Sequence, residues 1–273
     1  MELIKHKNGT EAIVKGGINL PLTLDCGQAF RWSAEDNGSF TAVVRKKEIT
    51  VSPTENGILF HNTSEDEINE IWADYFDLRR DHTEILKRLT KDPYVKSAVE
   101  RYGTIRILNQ EPWETLCSFI ISSCNNIPRI KGIIKKMSEG FGEKTGNGYA
   151  FPDPEVLAEK TEEELSFLKA GYRAPYILDA ARRVASGETD LEKIRNMPED
   201  EARKELMKIK GVGKKVADCT MLFSLGFTDV YPVDRHIERA TKEYYPNGVP
   251  DFFSPDRGLA QQYIFSRMIE RQF

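Results

Sequence analysis

Lys215 and Asp234 are the two residues whose type and setting could do covalent chemistry. A lysine attacks carbon only as the neutral amine, so it needs a partly apolar site, and a nearby carboxylate can stabilise positive charge that develops on the reacting atom. The stretch Leu206 to Gly226 reads as a helix ending near Lys208, a tight turn at Gly211 and Gly213, and a second helix starting at about Lys214. Without Cβ atoms, the two glycines let amides at the start of that second helix approach an anion closely. On the second helix Lys215 shares a face with Cys219, Leu222 and Phe223, at i+4, i+7 and i+8. Lys214 shares its face with Asp218 and is expected to be a solvated ion-pair residue. Lys215 therefore points along an apolar stripe, where desolvation favours the neutral amine. The competing reading is a snorkelling lysine at a helix start. Asp234 precedes the helical pattern His236-Ile-Glu-Arg-Ala-Thr-Lys242 and is placed to cap it. Capping and charge stabilisation are compatible roles for one carboxylate.

The elements that must hold these residues follow from periodicity. Up to about residue 63 the pattern is strand-like, over Ala12–Val14, Leu20–Leu24, Phe30–Trp32, Phe40–Val44, Glu48–Val51 and Ile58–Phe60. Asp36-Asn37-Gly38 and Glu55-Asn56-Gly57 separate strands as hairpin turns. Apolar residues then recur at three- and four-residue spacing. This predicts helices over Glu67–Phe76, Thr83–Leu89, Tyr94–Tyr102, Trp113–Ser122, Ile130–Phe141, Glu162–Phe167, Pro175–Ser186, Pro198–Met207, Lys214–Leu225, His236–Glu243 and Leu259–Arg271. The expectation is an α+β chain, with an N-terminal antiparallel sheet domain over residues 1–97 packed on a helical region over residues 98–273.

Composition narrows the class. Charged residues are 30% and hydrophobic ones 40% of the 273, the profile of a globular chain. No run reaches the roughly 18 apolar residues of a membrane span, and the N-terminus lacks a signal-peptide pattern, so a cytoplasmic or nucleoid location is expected. The four cysteines, Cys26, Cys117, Cys124 and Cys219, form no CxxC pair and have no histidine partners in sequence, which argues for reduced thiols rather than a zinc or iron-sulfur site. The net charge of −4 opposes a polyanionic partner if taken alone. Its distribution does not, because Arg203 to Lys215 holds six basic residues and one acid, and Arg129 to Lys136 holds four basic residues and no acid. Two such segments on an acidic body could form one positive face; solvated helix faces are the plainer alternative.

The hairpin Ile209-Lys-Gly-Val-Gly213, the lysine after it, Gly226, Pro232 and Asp234 together resemble the signature of the helix-hairpin-helix Gly/Pro-Asp superfamily of DNA glycosylases. Within it, the branches with four clustered cysteines after the motif are excluded, since no cysteine follows Cys219, and the alkylation-repair branch lacks the lysine. What remains resembles the 8-oxoguanine DNA glycosylases. Cys26-Gly-Gln-Ala-Phe-Arg-Trp32, Ser122-Ser-Cys-Asn-Asn-Ile-Pro-Arg129, Gly171-Tyr-Arg173, and Ala260-Gln261 with Phe265 resemble that family's segments, extending the likeness from about residue 20 to residue 266.

The resemblance implies a lesion base flipped from duplex DNA and held between Cys219 and Phe265, with Gly27 and Gln261 reading its edges. It implies that Lys215 is the nucleophile at C1′ and Asp234 the catalytic acid, with a Schiff base leading to β-elimination of the strand. It assigns Tyr172 to a wedge beside the orphaned base, Arg129 and Arg173 to the opposite cytosine, and His236 to a phosphate, while Cys124, Asn125 and Asn126 belong to its asparagine-rich loop and Gly211 and Gly213 to the backbone grip. It also implies that the carbonyls of Met207, Ile209 and Val212 hold a structural cation, that no further cofactor is required, and that the enzyme is a monomer. One departure concerns Cys124, where the family usually has asparagine, at a position that contacts the estranged cytosine. The rival readings are a glycosylase for another lesion and a non-catalytic DNA-binding hairpin module. A phosphate grip alone needs neither Lys215 nor Asp234.

Overall fold

The computed structural model describes residues 1–270. Six strands, β1 (Glu2–His6), β2 (Gly9–Ile13), β3 (Ser33–Ala34), β4 (Phe40–Val44), β5 (Lys47–Pro53) and β6 (Gly57–His61), form one antiparallel sheet in the order β1-β2-β6-β5-β4-β3. Pairings such as Ala12 with Ile58 and Val51 with Phe60 align the alternate apolar residues on one face. That face packs on Trp72, Tyr75 and Phe76, which come from a helical stretch with a π-turn at Ile68–Trp72. The N-terminal strand β1 is absent from the sequence expectation because its residues carry almost no buried face.

Two expected strands are corrected. Leu20–Asp25 is a helix, α1, not a strand. Asn19 Oδ1 accepts from the Leu22 amide at 3.0 Å, Pro21 fits the first turn, and the buried residues Leu20, Thr23 and Leu24 follow helical rather than alternate spacing. Phe30–Trp32 is irregular because its side chains serve two cores. Phe30 packs edge-on to Phe119 at 5.7 Å in the helical core, whereas Trp32 Nε1 donates to Tyr75 Oη at 3.0 Å in the sheet core. Between them Arg31 pairs with Glu114 at 3.1 Å.

The helices that build the site are α2 (His82–Leu89), α3 (Pro93–Tyr102), α4 (Pro112–Ser122), α5 (Ile127–Phe141), α6 (Ala174–Ala185), α7 (Glu199–Leu206), α8 (Lys214–Ser224), α9 (Arg235–Tyr244) and α10 (Arg257–Glu270). Among the expected positions, Arg271 lies outside the described residues. The expected helix Glu162–Phe167 is corrected to turns and a single 3-10 turn at Ser166–Leu168, closed by Lys169 in the left-handed region at φ 55°. Short elements without a usable period, the Lys144–Tyr149 hairpin and the helices Pro154–Ala158 and Leu191–Arg195, escape the sequence reading. Helices α4 and α8 are buried along most of their length and lie together at the centre, with Phe119 stacked on Phe223 at 5.4 Å. Among the described residues no helix is long and apolar enough to cross a membrane.

Candidate active site

The turn between α7 and α8 requires glycine twice over at position 211. Its φ is +81°, and a Cβ there would stand 2.2 Å from Cδ2 of Tyr176. The turn is tied to α6 where the Lys210 amide donates to Asp179 Oδ2 at 2.8 Å. Helix α8 then begins with Gly213 at its N-cap and no side-chain cap, so its first amides remain available to an external acceptor. The carbonyls of Met207, Ile209 and Val212 belong to this turn, and Ile209 also accepts the Val212 amide at 3.1 Å. A carbonyl oxygen keeps a second lone pair after one such bond, so this neutral oxygen set fits a hard cation.

Along α8, Lys215, Cys219 and Phe223 face a cavity of ≈ 50 Å³. Leu222, at the intervening helical position, turns instead toward α10 and packs at Gly258. The Lys215 Nζ donates to Ser122 Oγ at 3.0 Å and lies 4.8 Å from the centre of the Phe119 ring. Asp234 enters the same cavity from the start of α9. Its Oδ1 accepts from the amides of His236 and Ile237 at 2.9 and 2.8 Å, so capping and placement beside Lys215 coexist. The remaining walls are Gly27, Phe119, Pro232, Gln261, Gln262 and Phe265.

Each wall has a local cause. Gly27 takes φ +82° after α1, and a Cβ there would touch Cε1 of Phe265 at 3.4 Å. Its neighbour Gln28 is buried and locks the turn. Gln28 donates to the Thr23 and Arg106 carbonyls at 2.8 and 2.9 Å, and accepts from the Leu108 amide at 2.9 Å. Gln261 donates to the Pro232 carbonyl at 3.2 Å and accepts from Gln262 at 2.7 Å, and Cys26 donates to Gln262 at 3.3 Å. Burial pushes the Cys219 thiol up to about 11, against the opposing pull of Lys215, so the wall beside the nucleophile is a neutral, polarisable sulfur.

A groove sharing Lys215 and Asp234 with the cavity is lined by residues 122–126, Arg129, Val233, Arg235, His236 and Glu238. Asn126 caps α5 by accepting from the Arg129 amide at 3.0 Å, and Asn125 is bonded to the Ile121 carbonyl at 3.0 Å. Cys124 is exposed and left-handed, at φ 49°. His236 meets Phe265 edge-on at 6.2 Å. Tyr172, 54% exposed, reaches the Ser123 carbonyl at 3.1 Å, and Arg173 lies 4.4 Å from its ring centre.

Two expectations about charge are corrected, those for Lys214 and Arg203, and Arg173, assigned to the opposite cytosine, has a defined setting in the unbound chain. Arg173 is only 3% exposed and turned inward, donating to the carbonyls of Ser123, Cys124 and Ala170, so in the unbound chain it clasps the loop rather than presenting itself to solvent. Lys214 does not pair with Asp218. That carboxylate is buried between helices and is held by Arg203 Nε at 2.6 Å, and burial raises its pKa against the pull of Arg203. Arg203, also bound to Glu199 and Asp200, thereby leaves the basic face. Lys208, Lys131 and Lys135 pair with Glu205, Asp25 and Glu139. Among the described residues, exposed Lys210 and Lys214 have no carboxylate within ion-pair distance and flank the open amides of α8.

Two family models match the chain, "8-oxoguanine DNA glycosylase, N-terminal domain" over residues 12–116 and "HhH-GPD superfamily base excision DNA repair protein" over residues 117–249. The N-glycosylase/DNA lyase of Saccharomyces cerevisiae is 33% identical, over 89% of this chain and 72% of its own length. The chain belongs to the 8-oxoguanine DNA glycosylase family. A structure of the Clostridium acetobutylicum 8-oxoguanine glycosylase/lyase, in complex with double-stranded DNA containing cytosine opposite 8-oxoguanine, superposes with a TM-score of 0.92 at 37% identity, covering 100% of this chain and 99% of that one. MBOgg1, in complex with a low-affinity DNA ligand, gives a TM-score of 0.93 at 38% identity, with coverage of 100% and 99%.

Against the family signature, sequence reasoning reached both polar ends of the cavity but missed Phe119, Gln262 and the Ser122 hydroxyl. Phe119 sits in a helix buried all round, where periodicity gives no direction. Gln262 is one residue from a family position yet shares the cavity, and only the fold shows that both glutamines are bonded to each other.

Proposed function

We propose that this chain is a bifunctional 8-oxoguanine DNA glycosylase and lyase that excises the lesion from duplex DNA opposite cytosine, acting as a monomer in the cytoplasm or nucleoid. The observation that carries the reading is the convergence of Lys215 and Asp234, from the starts of two helices, on one cavity walled by a thiol and an aromatic ring. A base extruded from the duplex enters between Cys219 and Phe265, and Gly27 and Gln261 face its edges. Nζ of neutral Lys215 forms a bond to C1′ as the bond from C1′ to the base nitrogen breaks. The electron pair leaves with the base, which takes up a proton, and the lysine nitrogen loses one. The Asp234 carboxylate stabilises the positive charge on the sugar during this exchange. Opening of the sugar ring gives an imine between Lys215 and C1′, and loss of the C2′ proton then expels the 3′ phosphate. Amides of α8, with Lys210 and Lys214, grip the backbone, and the carbonyls of Met207, Ile209 and Val212 would hold a cation, which would add positive charge to this grip on the phosphates.

The test is borohydride trapping with duplexes containing 8-oxoguanine, uracil, 3-methyladenine or thymine glycol. The expected result is a covalent complex with 8-oxoguanine duplex, lost in Lys215→Gln while duplex binding persists, and retained in Lys214→Gln. Preferential cleavage of another lesion would reassign the substrate, and trapping lost in Lys214→Gln alone would reassign the nucleophile.

A further inference from the structure

The nucleophile has a partner outside the cavity walls. Ser122, the last residue of α4, donates its own hydroxyl proton to the Phe119 carbonyl at 2.8 Å and accepts the Lys215 Nζ proton at 3.0 Å. A hydroxyl whose proton is committed can only accept from the amine. In the neutral amine, one N–H donated to Ser122 restricts the directions open to the lone pair. The Phe119 ring, 4.8 Å from Nζ, limits them from a second side. Ser122 is also the residue at which the nucleophile meets the opposite-strand loop. The next carbonyl, of Ser123, is held by Tyr172 Oη at 3.1 Å and Arg173 Nε at 3.0 Å, and that of Cys124 by Arg173 Nη2 at 3.1 Å.

We propose that Ser122 is a positioning residue for Lys215, and that through it the Ser123-Cys124 backbone, clasped by Tyr172 and Arg173, sets where the nucleophile stands. The inference rests on the glycosylase reading of the site above. The Arg173 guanidinium, 3% exposed and bonded to those two carbonyls, reaches a base by changing its hold on them, so the state of the opposite strand is passed to the amine through one hydroxyl. The coupling runs through adjacent backbone atoms and needs no long-range path.

The variants that separate this role from a structural one are Ser122→Ala and Ser122→Thr. Threonine keeps a hydroxyl able to bond the carbonyl three residues back. Single-turnover excision opposite cytosine, duplex affinity, and borohydride trapping on a duplex with a preformed abasic site are measured for each. Trapping on the abasic duplex bypasses base recognition and reports the placement of the amine alone. Loss of one oriented hydrogen bond slows both reactions by about five- to ten-fold in Ser122→Ala, with duplex affinity unchanged, and Ser122→Thr restores most of the rate. The cytosine-to-adenine excision ratio also falls in Ser122→Ala, because the loop no longer reports to the amine. Wild-type trapping rates in Ser122→Ala, or failure of Ser122→Thr to recover a lost rate, overturn the proposal. Failure of the wild type itself to trap would instead overturn the glycosylase reading.

Discussion

Arg203→Met separates a stability role from a DNA-contact role for the most basic stretch of the chain. In sequence Arg203 opens a segment with six basic residues, which would put it on the DNA face. In the structure its guanidinium reaches Asp218, whose side chain is 2% exposed, while the arginine side chain is 15% exposed. Methionine keeps the apolar stem and removes the charge, leaving a buried carboxylate without its cation. Breaking a buried pair on one side costs about 3–5 kcal/mol, which for a chain of this size lowers Tm by roughly 6–20 °C. The double variant Arg203→Met/Asp218→Leu removes both charges and should recover most of that loss, since a well-packed apolar pair replaces a buried ion pair at little cost. Thermal unfolding followed by calorimetry gives the first quantity, and fluorescence anisotropy on an 8-oxoguanine duplex, below the unfolding range, gives the second. Affinity per folded molecule should stay within about two-fold, because a group that touches no phosphate adds nothing to counterion release. A Tm drop below about 2 °C together with a ten-fold loss of affinity would refute the assignment of Arg203 to the interior, because a lost phosphate contact produces that pattern and a broken buried pair does not.

Asp234→Asn keeps an oxygen able to cap α9 but removes the charge, and single-turnover excision should slow by about 10² or more; equal rates would reduce the carboxylate to a cap. Gly211→Ala forces a methyl against Tyr176 at a left-handed position, so duplex affinity should fall at least ten-fold in titrations at fixed salt, and unchanged affinity would mean that the hairpin does not grip DNA. Cys124→Asn should raise the cytosine-to-adenine excision ratio several-fold, the effect of roughly 1 kcal/mol from one good hydrogen bond. Because residue 124 is left-handed, a conformation asparagine tolerates well, Tm should rise as well; a higher Tm with an unchanged ratio would show that the position serves only the backbone.

Features fixed by neighbours in sequence were legible, and those fixed by neighbours in space were not. Gly211, Lys215 and Asp234 act through a turn and two helix starts, which local chemistry specifies. Leu20 to Leu24 could have been read correctly from Asn19 and Pro21, but alternate leucines suggested a period of two, and only packing shows that Thr23 joins them inside. The Lys214–Asp218 spacing satisfied a helix rule, yet Arg203 on the preceding helix outcompetes Lys214 because it reaches Asp218 from the buried side. Arg173 carries the family motif without any sign that its guanidinium is folded onto its own loop. Ser122 was visible only as part of that loop, and its bond to Lys215 spans 93 positions.

The chain of side-chain bonds from Cys26 through Gln262 and Gln261 to Pro232 fixes which way the Gln261 amide faces before any base arrives. Each end of that amide makes one bond, so one N–H and one oxygen lone pair remain for an incoming edge, in directions set by the bonds already made. A base whose donors and acceptors match that fixed pattern satisfies the remaining N–H and lone pair without breaking a bond. A base of similar size but the wrong pattern strands an amide or a carbonyl out of water, at about 1–3 kcal/mol for each group. Discrimination of this kind grows from what the rejected base leaves unsatisfied, and it survives even where the shape of the pocket admits both.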